Sequence, residues 1–262
     1  MIEVNHLSCG YFHSGNIPAI RNLDFSLNGR KAVIVGPNGS GKTSLLKACL
    51  GLMEIYEGDV RINGIDVRKI RNMKGVSTNL IDVYKLLNLD IGELAGLYSA
   101  ITGSRRSKFI ESLNEFSVDD TLHKKIYSLS TGQAKLVCDA MAFSSSPETI
   151  LLDEPFESID QGRKKILLNK IDSFRGEILT NTHEFNIVRS LKGWDLYFLI
   201  DGFIYGRFNT ADINNLYFTE GVHEDALSVI RMRYGTFSIT SGRGDLRMSE
   251  VHSFDSLIEV AE

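Results

Sequence analysis

The chain has 262 residues, 43% hydrophobic and 24% charged, with a formal net charge of −4. This length and balance suit an ordinary soluble globular protein built on one large α/β domain, or on a domain with a subdomain, around a substantial core. They exclude a chain-wide positive field for nucleic acid. With no apolar run of about eighteen residues or more, they also exclude a helix that spans a bilayer.

The first residues, Met1-Ile2-Glu3-Val4-Asn5, carry no basic segment followed by an apolar stretch, so no signal peptide is expected. Cys9, Cys49 and Cys138 lie far apart, fit buried thiols in a reducing cytosol, and offer no metal spacing. Work at a membrane would be done from the cytosolic side through a partner. Along the chain, Val33-Ile34-Val35 is an apolar run closed by Gly36, which predicts a buried strand. A helix is expected from Lys42 to Gly51. From about Asp82 to Lys125, residues such as Leu86, Leu94, Leu97, Ile101, Phe109, Leu113 and Phe116 recur at helical spacing, predicting a mainly helical insertion between strands. Thr131 to Ser144 reads as a further helix. Thr149-Ile150-Leu151-Leu152 is a second apolar run, ending at Asp153-Glu154, and a helix over Asp160 to Phe174 follows. Ile178-Leu179-Thr180 and Leu196 to Ile200 are two more strands. Continuous rather than alternating apolar runs indicate strands covered on both faces, as in a parallel sheet. Beyond about Asn209, Val229 to Ile239 predicts a hairpin around Arg233-Tyr234-Gly235, and Phe254 to Ala261 a closing helix.

Gly36-Pro37-Asn38-Gly39-Ser40-Gly41-Lys42-Thr43 has the spacing G-x-x-x-x-G-K-[ST], with a strand before it and a helix after it. Glycines let the backbone curl so that N–H groups converge on phosphate oxygens. The helix start adds the positive end of its dipole. Lys42 has the charge to neutralise β- and γ-phosphates, and Thr43 the hydroxyl for Mg²⁺. Gly36, Asn38, Gly39, Ser40, Gly41, Lys42, Thr43 and Ser44 are thus the candidate phosphate-binding residues. Asp153, at a strand end, is a candidate Mg²⁺ ligand, directly or through water, and Glu154 faces the nucleotide beside it. Many nucleotide enzymes, kinases and GTPases included, share these features.

Leu129-Ser130-Thr131-Gly132-Gln133 separates them. It stands about twenty residues before Ile150 and opens a predicted helix. It resembles LSGGQ, the signature motif of the ATP-binding cassette (ABC) family, with Thr131 in the third place. The order of phosphate loop, helical insertion, signature, acidic strand end, Ser158-Ile159-Asp160 and then His183 is similar to that of ABC transporter ATP-binding subunits over about residues 1–207. The resemblance implies an α/β fold: a P-loop NTPase core with a mostly parallel sheet, an N-terminal antiparallel β portion, and an inserted helical subdomain at about 82–145. Residues 208–262 would be a C-terminal extension.

The resemblance also implies roles. Tyr11 stacks on adenine, with Phe12 beside it as a competitor. Glu154 orients or activates water and forms the catalytic set with Lys42 and His183, which contacts the γ-phosphate. Thr43 and Asp153 hold Mg²⁺. Ser130, Gly132 and Gln133 complete the site of a second subunit, and Asp160 lies in the loop that runs across that dimer interface. The family's glutamine at the junction into the helical subdomain is missing, since the only glutamines are Gln133 and Gln161. Asn79 takes its position, either as a third metal-site residue with an amide shorter by roughly 1.5 Å or as a plain loop residue. On the first reading, glutamine at 79 is expected to raise turnover.

The implied function is a Mg-dependent ATPase subunit with ATP and Mg²⁺ as cofactors. ATP closes a head-to-tail pair of nucleotide domains, a homodimer or heterodimer, and the helical subdomain passes the motion to a separate transmembrane permease subunit. Its place is cytoplasmic, peripheral on the cytosolic face of the membrane, with no nucleic-acid partner. Leu89 to Tyr98 with Ile101-Thr102-Gly103 resembles a segment common in exporter-type ATPases. The alternative is a soluble ABC ATPase of repair, translation or cluster assembly. Against it stand the single cassette, the lack of a long coiled-coil insertion and the lack of a basic nucleic-acid-binding tract.

Overall fold

The structure, a computed structural model, describes residues 1–12, 15, 17–69, 75–232 and 235–251. The chain forms two compact units, Met1–Ile70 with Asn181–Glu262, and Arg71–Thr180.

The first unit begins with β1 (Ile2–Gly10) and β2 (Ile20–Leu27), an antiparallel pair. In β2, Ile20, Leu23, Phe25 and Leu27 are buried and the residues between them exposed, the period-two pattern of a strand with one wet face. β3 (Lys31–Val35) differs: Ala32, Val33, Ile34 and Val35 are all fully buried. It leads through the phosphate loop into α1 (Lys42–Cys49). β4 (Glu54–Ile62) and β5 (Ile65–Asp66) complete an antiparallel sheet in the order β2-β1-β4-β5.

The second unit contains β6 (Val76–Thr78), then α2 (Ile81–Lys85), α3 (Ile91–Thr102), α4 (Arg106–Glu115) and α5 (Thr131–Ser144). The start of α3 is capped reciprocally: the Asp90 carboxylate accepts from Glu93 N–H at 2.7 Å, and Glu93 Oε2 accepts from Asp90 N–H at 2.9 Å. Two donors near a helix start are thereby satisfied. α4 buries Phe109 and Leu113, and α5 is buried at nearly every position from Ala134 to Ser144. β7 (Thr149–Leu152) and α6 (Gln161–Ser173) follow, and β8 (Glu177–Thr182) carries the chain back towards the first unit. β6, β7 and β8 pair in parallel, with Val76 opposite Thr149 and Thr149 opposite Glu177.

Back in the first unit come α7 (Phe185–Ser190), β9 (Asp195–Ile200) parallel to β3, and β10 (Phe203–Asn209) antiparallel to β9. A separate antiparallel sheet closes the described chain: β11 (Leu216–Glu220), β12 (Ser228–Met232), β13 (Gly235–Ser241) and β14 (Leu246–Arg247), in the order β12-β13-β11-β14. Phe218 of β11 meets Phe198 of β9 edge-on, with ring centroids 5.8 Å apart.

The expected hairpin is β12–β13, paired from Ser228 opposite Ile239 to Met232 opposite Gly235. Arg233 and Tyr234, and the expected helix over Phe254 to Ala261, lie outside the described residues. Two expected helix ends move by a residue or two. α1 ends at Cys49 instead of Gly51, which has the left-handed φ of 69° that stops a helix. Asp160 caps α6 rather than beginning it. Burial pushes the thiols of Cys9 and Cys49 up to about 12, which suppresses the reactive thiolate. Among the described residues no helix is long and apolar enough to cross a membrane.

Asp90→Ala removes the cap of α3 and is expected to cost about 0.5–2 kcal/mol of stability. Urea unfolding checks this: the midpoint falls while the slope stays constant.

Candidate nucleotide-binding site

In the first unit, β3 hands over to a loop shaped by glycine. A Cβ on Gly36 would lie 2.0 Å from the Leu199 carbonyl oxygen. Gly39 and Gly41 have φ of 78° and 105°, a region that side chains disfavour. Gly41 caps α1 without a side-chain acceptor, and the first turn carries no acid, so no negative side chain offsets the positive helix end. Ser40 Oγ is buried with no hydrogen-bond partner among the described residues. The buried Lys42 donates from Nζ to the carbonyls of Gly36 at 2.7 Å and Pro37 at 3.0 Å, which folds its ammonium back over the loop. A curled backbone, a helix start, an ammonium and an unpaired buried hydroxyl together fit a polyanion. Tyr11 is half-exposed; its hydroxyl lies 3.3 Å from Ser44 Oγ and its ring carries Lys47 Nζ 5.8 Å from the centroid. Phe12 is more exposed still. His183 follows β8 and is half-buried, and the Thr182 hydroxyl accepts from Glu184 N–H at 3.1 Å as the chain turns into α7.

In the second unit, β7 delivers Asp153 and Glu154, both half-buried. The Asp153 backbone is held on both sides. Its N–H donates to Asn79 Oδ1 at 2.7 Å. Its carbonyl accepts from Lys135 Nζ at 2.8 Å and from Asn79 Nδ2 at 3.3 Å. Asn79 Nδ2 also donates to Asp139 Oδ1 at 2.7 Å. Asn79 and Asp139 are fully buried and Lys135 nearly so. Burial pushes the Asp139 carboxyl up to about 7, against the opposing effects of the Lys135 charge and the Asn79 hydrogen bond. Glu154 then adopts a left-handed φ of 42° and Ser158 one of 60°. Such a conformation costs roughly 1–2 kcal/mol for a residue with a side chain, and it persists only where the surroundings hold it.

The signature forms the start of α5. Ser130 Oγ accepts from Gln133 N–H and Gln133 Oε1 accepts from Ser130 N–H, both at 3.3 Å. A Cβ on Gly132 would stand 2.4 Å from the Ser158 carbonyl oxygen, so the loop ahead of α6 packs directly on the first turn of α5. Asp160 caps α6 by accepting from Arg163 N–H at 3.0 Å, a bond that holds its carboxyl below the usual carboxylate range. Arg163 donates in turn to the carbonyls of Phe116 at 2.8 Å and Ser117 at 3.0 Å.

Within the first unit Tyr11 lies against Ser44 and Lys47 of α1, which the phosphate loop opens, and His183 follows β8. Within the second it groups Asn79 with Asp153 and Glu154, and Ser130, Gly132 and Gln133 with the loop that leads to Asp160. Sequence reasoning missed Lys135 and Asp139. The signal was present: two opposite charges four residues apart within Ala134 to Phe143, an otherwise apolar stretch of helix.

A family model described as ABC transporter matches residues 20–157. The chain belongs to this family. The phosphonates import ATP-binding protein of Oceanobacillus iheyensis is 27% identical over 72% of this chain and 83% of its own length. The zinc import ATP-binding protein of Jannaschia sp. is 31% identical over 72% and 75%. A solved structure named "putative cobalt transport ATP-binding protein" is 32% identical, covers 99% of this chain and 100% of its own, and superposes with a TM-score of 0.89. A dimeric ATP-binding cassette bound to ADP and Pi, 21% identical over 80% and 99% with a TM-score of 0.66, has the same P-loop NTPase fold. The combination of parallel strand pairs with an N-terminal antiparallel portion in this ABC chain is therefore that of its family.

The expected benefit of glutamine at 79 meets a physical obstacle. Asn79 is fully buried and both polar atoms of its amide are engaged inside the second unit. Asn79→Gln adds a methylene there and is expected to destabilise by about 1–3 kcal/mol and to slow turnover. Thermal unfolding checks the packing; an unchanged melting temperature would show that the site has room.

Proposed function

We propose that this ABC chain hydrolyses Mg-ATP and couples ATP-driven closure of a head-to-tail pair of nucleotide domains to transport through a separate membrane-spanning subunit, working on the cytosolic face. The observation that carries this reading is the phosphate loop, where Gly36 to Thr43 curls around an uncapped helix start and Lys42 folds over it. No other feature among the described residues combines so many donors for a triphosphate.

Lys42 neutralises charge on the β- and γ-phosphate oxygens, and the amides of the loop, with Ser40 and Ser44 beside them, orient the chain of phosphates. Mg²⁺, when bound, would supply further positive charge to those oxygens. Thr43 and Asp153 are the residues that would hold it, and Asn79 acts through the backbone of Asp153. Glu154 orients the attacking water and takes up its proton. His183 donates to the γ-phosphate. Tyr11 stacks on the adenine. In the paired state, Ser130, Gly132 and Gln133 present the start of α5 to the nucleotide of the other domain, and Asp160 stands in the loop along that interface. Residues 1–207 are read as the nucleotide domain and residues 208–262 as an extension dispensable for ATP binding. Relatives named for phosphonate import, zinc import and lipoprotein release share this kind of subunit. The reading therefore commits to ATP-driven transport and to neither cargo nor direction.

Lys42→Ala removes the charge on the phosphates and is expected to lower ATP turnover by at least about a hundredfold. Undiminished hydrolysis in that variant would sink the assignment.

Glu154→Gln keeps the shape and removes the proton acceptor. It is expected to bind ATP, fail to turn it over, and sediment as a dimer only when ATP is present. A variant that stays monomeric at saturating ATP argues against closure of two identical chains.

A further inference from the structure

We propose that Asp139 is a positioning residue for ATP hydrolysis: by orienting the Asn79 amide, and together with Lys135, it clamps the backbone of Asp153 and sets the peptide that leads into Glu154.

The argument starts from the peptide groups. Asp153 stands just past the last residue of β7, where regular strand pairing has ended. Its N–H and C=O still need partners in a half-buried setting. Asn79 meets both, with Oδ1 accepting from the N–H at 2.7 Å and Nδ2 donating to the carbonyl at 3.3 Å. An amide placed this way imitates a neighbouring strand. Lys135 Nζ adds a second, shorter bond to the same carbonyl, at 2.8 Å.

That carbonyl belongs to the peptide plane shared with Glu154. Fixing it fixes the approach to the left-handed φ of 42° at Glu154. A peptide free to rotate there would let Glu154 relax towards an ordinary backbone conformation and swing its carboxylate away. Misplacement by about an ångström is enough to cost orders of magnitude in rate.

Asp139 decides which way the Asn79 amide faces. Its Oδ1 accepts only from the NH₂ side, at 2.7 Å, so the carbonyl side is left to face Asp153 N–H. Asp139 and Lys135 are one helical turn apart on α5, on the same face, so a single rigid element supplies both supports. The acid is fully buried, and its Oδ2 has no partner among the described residues. Packing alone does not call for such a group, since an apolar residue would fill the position without burying an unpaired carboxylate oxygen of its own.

The test uses the full chain with three substitutions: Asp139→Ala, Asp139→Asn and Lys135→Met. Alanine keeps the helix propensity of α5, asparagine restores an acceptor, and methionine keeps the apolar stem of lysine. Two readouts are taken: hydrogen exchange of the Asp153 amide in the free protein, and kcat for ATP alongside ADP affinity. In Asp139→Ala the Asp153 amide is expected to exchange at least about tenfold faster, with kcat down by roughly tenfold and ADP affinity held within about twofold. Asp139→Asn is expected to recover most of both, and Lys135→Met to resemble Asp139→Ala. The kcat arm rests on the ATPase reading above. A wild-type chain without turnover sinks that reading and leaves the exchange arm to decide this one. Asp153 protection unchanged in folded Asp139→Ala overturns the proposal. So does a loss of kcat that follows melting temperature and ADP affinity equally in every variant, because that is the mark of a merely structural role. If Asp139→Ala does not fold, failure of Lys135→Met to speed Asp153 exchange overturns it instead.

Discussion

Strands buried at every position cannot carry polar chemistry along their length. All four residues of β7 and all six of β9 are buried, as are Ala32 to Val35 of β3. Reactive polar groups are best presented where the chain leaves the sheet: the phosphate loop follows β3, Asp153 and Glu154 follow β7, and His183 follows β8. The constraint brings a second problem. At each exit the backbone loses its neighbouring strand and must find other partners. The exit from β3 meets it with Lys42, whose ammonium serves the carbonyls of Gly36 and Pro37. The exit from β7 meets it with Asn79 and Lys135.

Much of this was legible in the sequence because burial on both faces writes itself as an uninterrupted apolar run. β3, β7 and β9 show one, whereas β8 is apolar only at Ile178 and Leu179. The expected helix starts lay close to the observed ones, where Ser130 and Gln133 cap α5 reciprocally and Asp160 caps α6. The phosphate loop and the signature are local motifs in which neighbouring residues carry the whole meaning. What stayed hidden depends on pairs far apart in the chain. Asn79 lies 60 residues from Asp139 and 74 from Asp153, so no spacing rule links them. From the sequence Asn79 read as a shortened glutamine or a loop residue. The structure shows an amide with both ends occupied.

Charge placed inside α5 is a costly choice unless its hydrogen bonds are made. Lys135 ends on a backbone carbonyl, and Asp139 keeps one oxygen without a partner among the described residues. A network satisfied in this uneven way is stiff at the bonds it makes and sensitive at the one it lacks. The same helix shows two characters along its axis. Its start is exposed and polar at Ser130, and between Ala134 and Phe143 it is polar only at the two positions that support the end of β7. The close approach of Gly132 to the Ser158 carbonyl ties that start to the loop beyond Glu154.

The bond between Asn79 and Asp139 also bears on how such a chain can drift. A change to glutamine at 79 alone pushes a longer amide against a carboxylate on a helix buried along nearly its whole length. An apolar residue at 139 alone leaves the Asn79 NH₂ with a single long contact, the Asp153 carbonyl at 3.3 Å. Each single step passes through a poorer intermediate, whereas the joint change does not. Natural variants of this subunit should therefore carry the pair or lack it as a unit, and grafting either residue into a relative without its companion should transfer the burden without the benefit.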